Sequence, residues 1–105
     1  PPQPTPTPPI NSAAFDEAIA TVLNDLGTRL KSAGQIQAAL DLYLQASALC
    51  PRHHVTWYNI GVMYGEMNQP HQALSYYQRA LSLQPHFAHA LSNAGSVLRQ
   101  LGRLE

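Results

Sequence analysis

Residues 57–85, WYNIGVMYGEMNQPHQALSYYQRALSLQP, decide the fold. They hold a large residue at Trp57, then Ile60, a small one at Gly61 and a large one at Tyr64. Ala73, Tyr77 and Ala80 follow, and Pro85 closes the stretch. Displaced by 34 residues, the pattern recurs. Gly27, Gly61 and Gly95 superpose, as do Ala39 and Ala73, Leu40 and Leu74, Tyr43 and Tyr77, Ala46 and Ala80, Leu49 and Leu83, and Pro51 and Pro85. Gly34, Asn68 and Gly102 share one place. Glycine and asparagine both accept the left-handed conformation that ends a helix.

Each unit reads as two helices. The spacing predicts helices over 13–33, 36–49, 55–67 and 70–83, and a last one from Phe87 or Ala88 to about Leu101. Ser12 is a candidate cap of the first, with Asp16 and Glu17 in its first turn, where the helix dipole favours negative charge. Pro70 suits a first helical position. Small residues let two helices approach, and aromatic ones fill the space between them. No pair buries its own face alone, so stacked pairs build a continuous core. Leu91, Ala94, Leu98 and Leu101 form an apolar stripe on the last helix with nothing following to cover it.

The middle unit is similar to the tetratricopeptide (TPR) pattern at Trp57, Ile60, Gly61, Tyr64, Ala73, Tyr77, Ala80 and Pro85, all eight diagnostic places. The first unit keeps Gly27, Ala39, Tyr43, Ala46 and Pro51 but has Leu23 where the tryptophan stands. The third keeps Leu91 and Gly95. The expected fold is all-α, a TPR solenoid of antiparallel helix pairs truncated in its third repeat. The expected divisions are a tether over 1–11, a first unit with an extended first helix over 12–53, a second over 54–87 and one helix of a third over 88–105.

Working outward, six of nine prolines lie in residues 1–9. Proline fixes φ and lacks an amide donor, so this head reads as an extended tether, with docking to an SH3 or WW domain as the alternative. A chain that begins at proline, with no basic and apolar leader, reads as an excerpt of something longer. Charged residues are 11% of the chain, against about 25% on average. Six basic and six acidic residues cancel. That balance gives no footprint for nucleic acid and no polybasic membrane segment. No apolar run approaches the roughly 20 residues of a membrane span. One cysteine, Cys50, excludes an internal disulfide and fits a reducing compartment.

Helical periodicity also locates a groove. At about 100° per residue, Trp57, Ile60, Gly61 and Tyr64 take the packed side of their helix. The other side carries Val55, Asn59, Val62 and Glu66, flanked by Tyr58 and Gly65. The equivalent face before it is Thr21, Asp25, Thr28 and Ser32, flanked by Asn24 and Lys31. The face after it is His89, Asn93, Ser96 and Gln100, flanked by Ser92 and Arg99. Stacked, these faces line the concave side of a solenoid. Asn59 and Asn93 recur at one place in it. A side-chain amide is both donor and acceptor and can hold the backbone of an extended peptide without reading its sequence. The candidate peptide-binding residues are therefore Asn24, Asp25, Thr28, Tyr58, Asn59, Val62, Glu66, His89, Asn93 and Ser96. A carboxylate-gripping groove would need Lys and Arg there, and only Asn59 fits such a clamp.

No catalytic, cofactor-binding or metal site is expected. Cys50, His53 and His54, and His86 with His89, lack the four convergent ligands of a zinc site, and read as a half-buried turn cysteine and solvated histidines. There is no phosphate-cradling glycine loop, and Glu66 with Asp25 makes no persuasive acid–base pair.

A narrower resemblance lies in residues 58–67, YNIGVMYGEM, with 72–77, QALSYY, the preceding 39–43, ALDLY, Cys50-Pro51 and the closing 102–105, GRLE. These resemble the TPR arrays of SPINDLY-type protein O-glycosyltransferases and the related O-GlcNAc transferases. The five histidines depart from that pattern. The resemblance implies a nuclear or cytoplasmic enzyme whose catalytic region lies beyond residue 105 and modifies Ser and Thr. Its donor would be UDP-GlcNAc or GDP-fucose, and its array would hold extended segments of substrates through an asparagine ladder. It leaves room for self-association of a full array. Asp25 replaces the amide in the first unit. The alternative is a TPR scaffold or adaptor with no enzyme attached.

Overall fold

The computed structural model describes residues 2–4 and 12–104. Among them the chain forms five α-helices and no strand: α1 Ser12–Ser32, α2 Ile36–Leu49, α3 His54–Glu66, α4 Pro70–Leu83 and α5 Ala88–Leu104. Pro2, Gln3 and Pro4 are exposed and carry no regular structure. The rest of the expected tether lies outside the described residues.

The sequence places α2 and α4 at the observed bounds, and Pro70 opens α4 as expected. The start of α1 differs. Ser12 is its first helical residue and so cannot be its cap, and the first turn holds no acidic residue. Asp16 and Glu17 sit one turn further in, where the dipole has little hold on them.

The stops between paired helices follow the expected chemistry. Gly34 has φ +83° and Asn68 has φ +59°. At each, two amides turn back onto the last carbonyls: Gly34 N to Lys31 O and Gln35 N to Leu30 O, then Asn68 N to Gly65 O and Gln69 N to Tyr64 O. This is the two-bond closure that satisfies orphan carbonyls at a left-handed helix end. Gly102 does not repeat it and stays inside α5. The closure accompanies a return onto a second helix, which α5 lacks among the described residues.

Size matching holds each pair together. Gly27 lies under the Tyr43 ring, and a Cβ there would sit 2.8 Å from it. At Gly61 a Cβ would sit 2.7 Å from Tyr77. Ala39, Ala46, Ala73 and Ala80 are fully buried and complete the close approach. On the far side of α3, Trp57 and Tyr64 both stack on Tyr76, at 6.0 and 5.2 Å between centroids. The Trp57 indole donates to Pro51 O at 2.7 Å, and the Arg79 guanidinium lies 4.5 Å above its ring. Pro51 therefore closes the unit and also accepts the next unit's tryptophan.

Adjacent units join where α3 meets α2 and α5 meets α4. Thr56, Ile60 and Met63 are fully buried in the first joint, and in the second Ala90 is fully buried and Ala94 and Val97 nearly so. The stripe expected on α5 therefore divides. Ala94 and Leu101 pack with Ala73 and Tyr77, while Leu91 and Leu98 are exposed. Leu91 and Leu98 are the counterparts of Trp57 and Tyr64, whose partner is the second helix of their own unit.

Candidate peptide-binding groove

The first helices α1, α3 and α5 stand side by side and present the predicted groove residues. Three polar links join them, and all three span 35 positions. Asn59 Nδ2 donates to Asn24 Oδ1 at 2.8 Å. Asn93 Nδ2 donates to the Tyr58 hydroxyl at 3.2 Å. Lys31 Nζ lies 3.0 Å from Glu66 Oε1. One period plus one residue is the step that carries a side chain to its neighbour on the next helix. Each link therefore runs across a unit boundary along the groove floor.

These links revise the expected roles. Asn24, expected as an exposed flank, is 4% exposed and serves as the acceptor that holds Asn59. Tyr58 does the same for Asn93 and packs its ring against His89, 6.0 Å away. Thr28 turns its hydroxyl inward, to the Tyr43 hydroxyl at 2.8 Å and to Asn24 O at 3.1 Å. Val62 takes the same place one unit later and cannot make that bond. There the Tyr77 hydroxyl meets Asn93 instead, and burial pushes its pKa up while the Asn93 bond opposes the rise. Glu66 is half exposed and neutralises Lys31. Ser96 accepts from Arg99 at 3.2 Å. Asp25 and His89 are exposed.

Asn59, Val62 and Asn93 are half-buried, at the depth where a bound segment would meet them. Each asparagine donates one N–H to the preceding unit. Beyond that bond the Asn59 amide has an oxygen and a second N–H to offer, whereas Asn93 also meets the Tyr77 hydroxyl.

His53 departs from the expectation of a solvated turn residue. It is half-buried between units, with Nδ1 2.7 Å from Thr56 Oγ1 and Nε2 3.5 Å from Thr21 Oγ1. The Thr21 hydroxyl already donates to Glu17 O, so its oxygen is free to accept from Nε2. Burial lowers the His53 pKa, neighbouring His54 lowers it further, and Glu17 and Asp25 pull the other way. His86 and His89 are exposed and Cys50 is half-buried at the end of α2, as expected. Sequence periodicity gave no hint of the histidine's place, because no other unit carries a histidine there. The 35-residue spacing is the signal that would have found the links.

An array of paired helices with a polar concave face defines a class, and the comparisons agree. Tetratricopeptide repeat models match residues 54–87 and 19–54. The chain belongs to the tetratricopeptide repeat family. Among curated proteins it is similar to the probable UDP-N-acetylglucosamine–peptide N-acetylglucosaminyltransferase SPINDLY of Eustoma exaltatum subsp. russellianum, 43% identical over 85% of this chain and 12% of that protein. The SPINDLY protein of Hordeum vulgare is 39% identical over 69% of this chain and 8% of that one. The chain thus spans about an eighth or less of these relatives. Among solved structures, the first TPR of Spaghetti (RPAP3) bound to HSP90 peptide SRMEEVD superposes with a TM-score of 0.78 at 25% identity, over 85% of this chain and 72% of that one. MamA superposes at 0.76 and 26%, over 86% and 53%.

Proposed function

We propose that this chain holds extended protein segments by their main chain, as the substrate-recognition part of a nuclear or cytoplasmic protein O-glycosyltransferase of the SPINDLY kind. The observation that carries this reading is the pair Asn59 and Asn93. They stand one period apart, each pinned through Nδ2 to the unit before, at 2.8 and 3.2 Å. Pinned amides meet a peptide backbone at little further cost in side-chain entropy. The transfer itself would fall to a region outside these residues, with UDP-GlcNAc or GDP-fucose as donor. Similarity to SPINDLY proteins supports that part.

The second reading is an adaptor without an enzyme. The peptide held by the Spaghetti domain is acidic, and a peptide carboxylate calls for basic partners. Here Lys31 is already paired with Glu66, and Arg99, which flanks the groove, donates to Ser96. Backbone holding therefore fits these residues better than a charge clamp.

The test is Asn59→Ala with Asn93→Ala in the full-length protein. Sugar transfer to a panel of unrelated substrates should fall together. Unchanged labelling across the panel would remove the groove from the account. Loss of binding without any transfer activity in the parent protein would favour the adaptor.

A further inference from the structure

The two joints between units differ in kind. In the first, His53 stands at the N-terminal end of α3 and bridges two helices, with Nδ1 2.7 Å from Thr56 Oγ1 and Nε2 3.5 Å from Thr21 Oγ1 on α1. One period later the places of His53, Thr56 and Thr21 are taken by Phe87, Ala90 and Val55, so the three polar groups are replaced together. The far ends differ in the same way. Lys31 and Glu66 pair across the first joint, and their counterparts in the second are Gly65 and Gln100. The second joint closes on apolar residues and on the neutral bond from Asn93 to Tyr58. Its neighbouring histidines, His54 and His89, meet Phe87 through ring contact, at 5.0 and 5.9 Å.

The hydrogen bonds at His53 require a neutral ring. The Thr21 hydroxyl donates to Glu17 O at 2.9 Å, so toward His53 it accepts, from Nε2–H. Nδ1 then carries no proton and accepts from the Thr56 hydroxyl. A second proton falls on Nδ1 and sets donor against donor. The Thr56 hydroxyl must turn to accept, and its own hydrogen is left without that partner in a fully buried place. The new charge also lies at the N-terminal end of α3, where the helix dipole repels it. The groups that face the ring divide. His54, its ring 6.4 Å away, opposes the proton, and Glu17 and Asp25 on α1 favour it. In the turn after α2, Arg52 is exposed and Cys50 presents its carbonyl, which accepts the His53 backbone N–H at 3.1 Å. Burial tips the balance against the proton.

The same seam runs on into the groove. About one turn further along α1 and α3 from Thr21 and Thr56, Asn24 holds Asn59 at 2.8 Å, and at the far end Lys31 meets Glu66. Neighbouring units of such an array are held by their own interface, so one joint can loosen while the rest stays folded. We propose that the joint between α1 and α3 is an acid-responsive hinge: a proton on His53 breaks its bond to buried Thr56, the seam parts from that end about the Lys31–Glu66 pair, and Asn59 is released from Asn24. The joint between α3 and α5 stays closed. A weaker hold on a bound segment follows on the groove reading above; the hinge itself does not rest on that reading.

The test is an NMR titration of the isotope-labelled 105-residue chain from pH 8 to pH 5. The side-chain amides of Asn59 and Asn93 report one joint each. The chain carries His89→Gln throughout, because His89 lies against Tyr58, the acceptor of Asn93. The Asn59 side-chain signals should shift and broaden with the midpoint of the His53 ring, below 6.5, while those of Asn93 hold still and the helical circular dichroism is kept. Adding His53→Gln, which cannot take the proton, should leave the Asn59 signals unmoved over the same range. Asn59 signals that stay still while His53 titrates overturn the proposal. So does movement of Asn59 and Asn93 together, loss of the helical signal at the same midpoint, or an Asn59 response that survives His53→Gln.

Discussion

Asn59 donates its side-chain amide to the Oδ1 of Asn24, 35 residues earlier and across the boundary between units, at 2.8 Å. The acceptor is nearly buried and the donor half-buried. The bond therefore has a structural side and a functional side, and substitutions at its two ends separate them.

Replacing Asn24 by Ala removes a buried acceptor and releases the Asn59 amide. A destabilisation of about 1–2 kcal/mol is expected, the usual cost of breaking a partly buried hydrogen bond. Asn59→Ala leaves the acceptor of Asn24 unpaired at a site only 4% exposed, where water does not readily replace the donor, and should cost more. Urea unfolding of both variants measures the difference. Equal costs would mean that the link carries no more than two separate surface amides.

The glycines are not equivalent. Gly61→Ala drives a methyl to within 2.7 Å of the Tyr77 ring, so a loss of about 1–3 kcal/mol from overpacking is expected. At Gly95 the nearest group is the end of the Arg99 side chain, 4.0 Å away. Gly95→Ala should stabilise the chain by up to about 1 kcal/mol, because alanine is the better helix former. Thermal melts of the two variants should move in opposite directions.

Stability should also fall with acid through His53. Its pKa in the folded chain lies below the ordinary 6.5, from burial and then the neighbouring His54, so the native state resists protonation more than the unfolded chain does. The stabilisation from this site is complete above 6.5 and declines as pH falls below it towards the lowered value. Glu17 and Asp25 favour the proton and moderate the loss. His53→Gln, compared with the parent chain between pH 8 and pH 5, should show a flatter dependence of unfolding free energy. Parallel curves would assign the acid sensitivity to other groups.

Trp57→Phe keeps most of the ring but loses the donor to Pro51 O at 2.7 Å. The carbonyl it leaves belongs to an exposed turn, where water can replace it. A cost of about 1 kcal/mol is expected, read as a lower denaturation midpoint with an unchanged slope.

The sequence by itself determined the period, the number of helices, the bounds of α2 and α4 and the left-handed stops at Gly34 and Asn68. Those follow from residue size, helical spacing and local backbone preference, which are written along the chain. It also placed Asn59, Val62 and Asn93 on one face, since a face is a matter of periodicity. The tertiary structure decided what those residues touch. It buried Asn24, turned the Thr28 hydroxyl inward to Tyr43, paired Lys31 with Glu66, set His53 between two units and parted Leu91 and Leu98 from Ala94 and Leu101. Each of these depends on the angle and offset at which one helix pair stacks on the next. Period arithmetic fixes the order of residues along a helix and leaves the step between helices open, and the added residue in the 35-position links is that step.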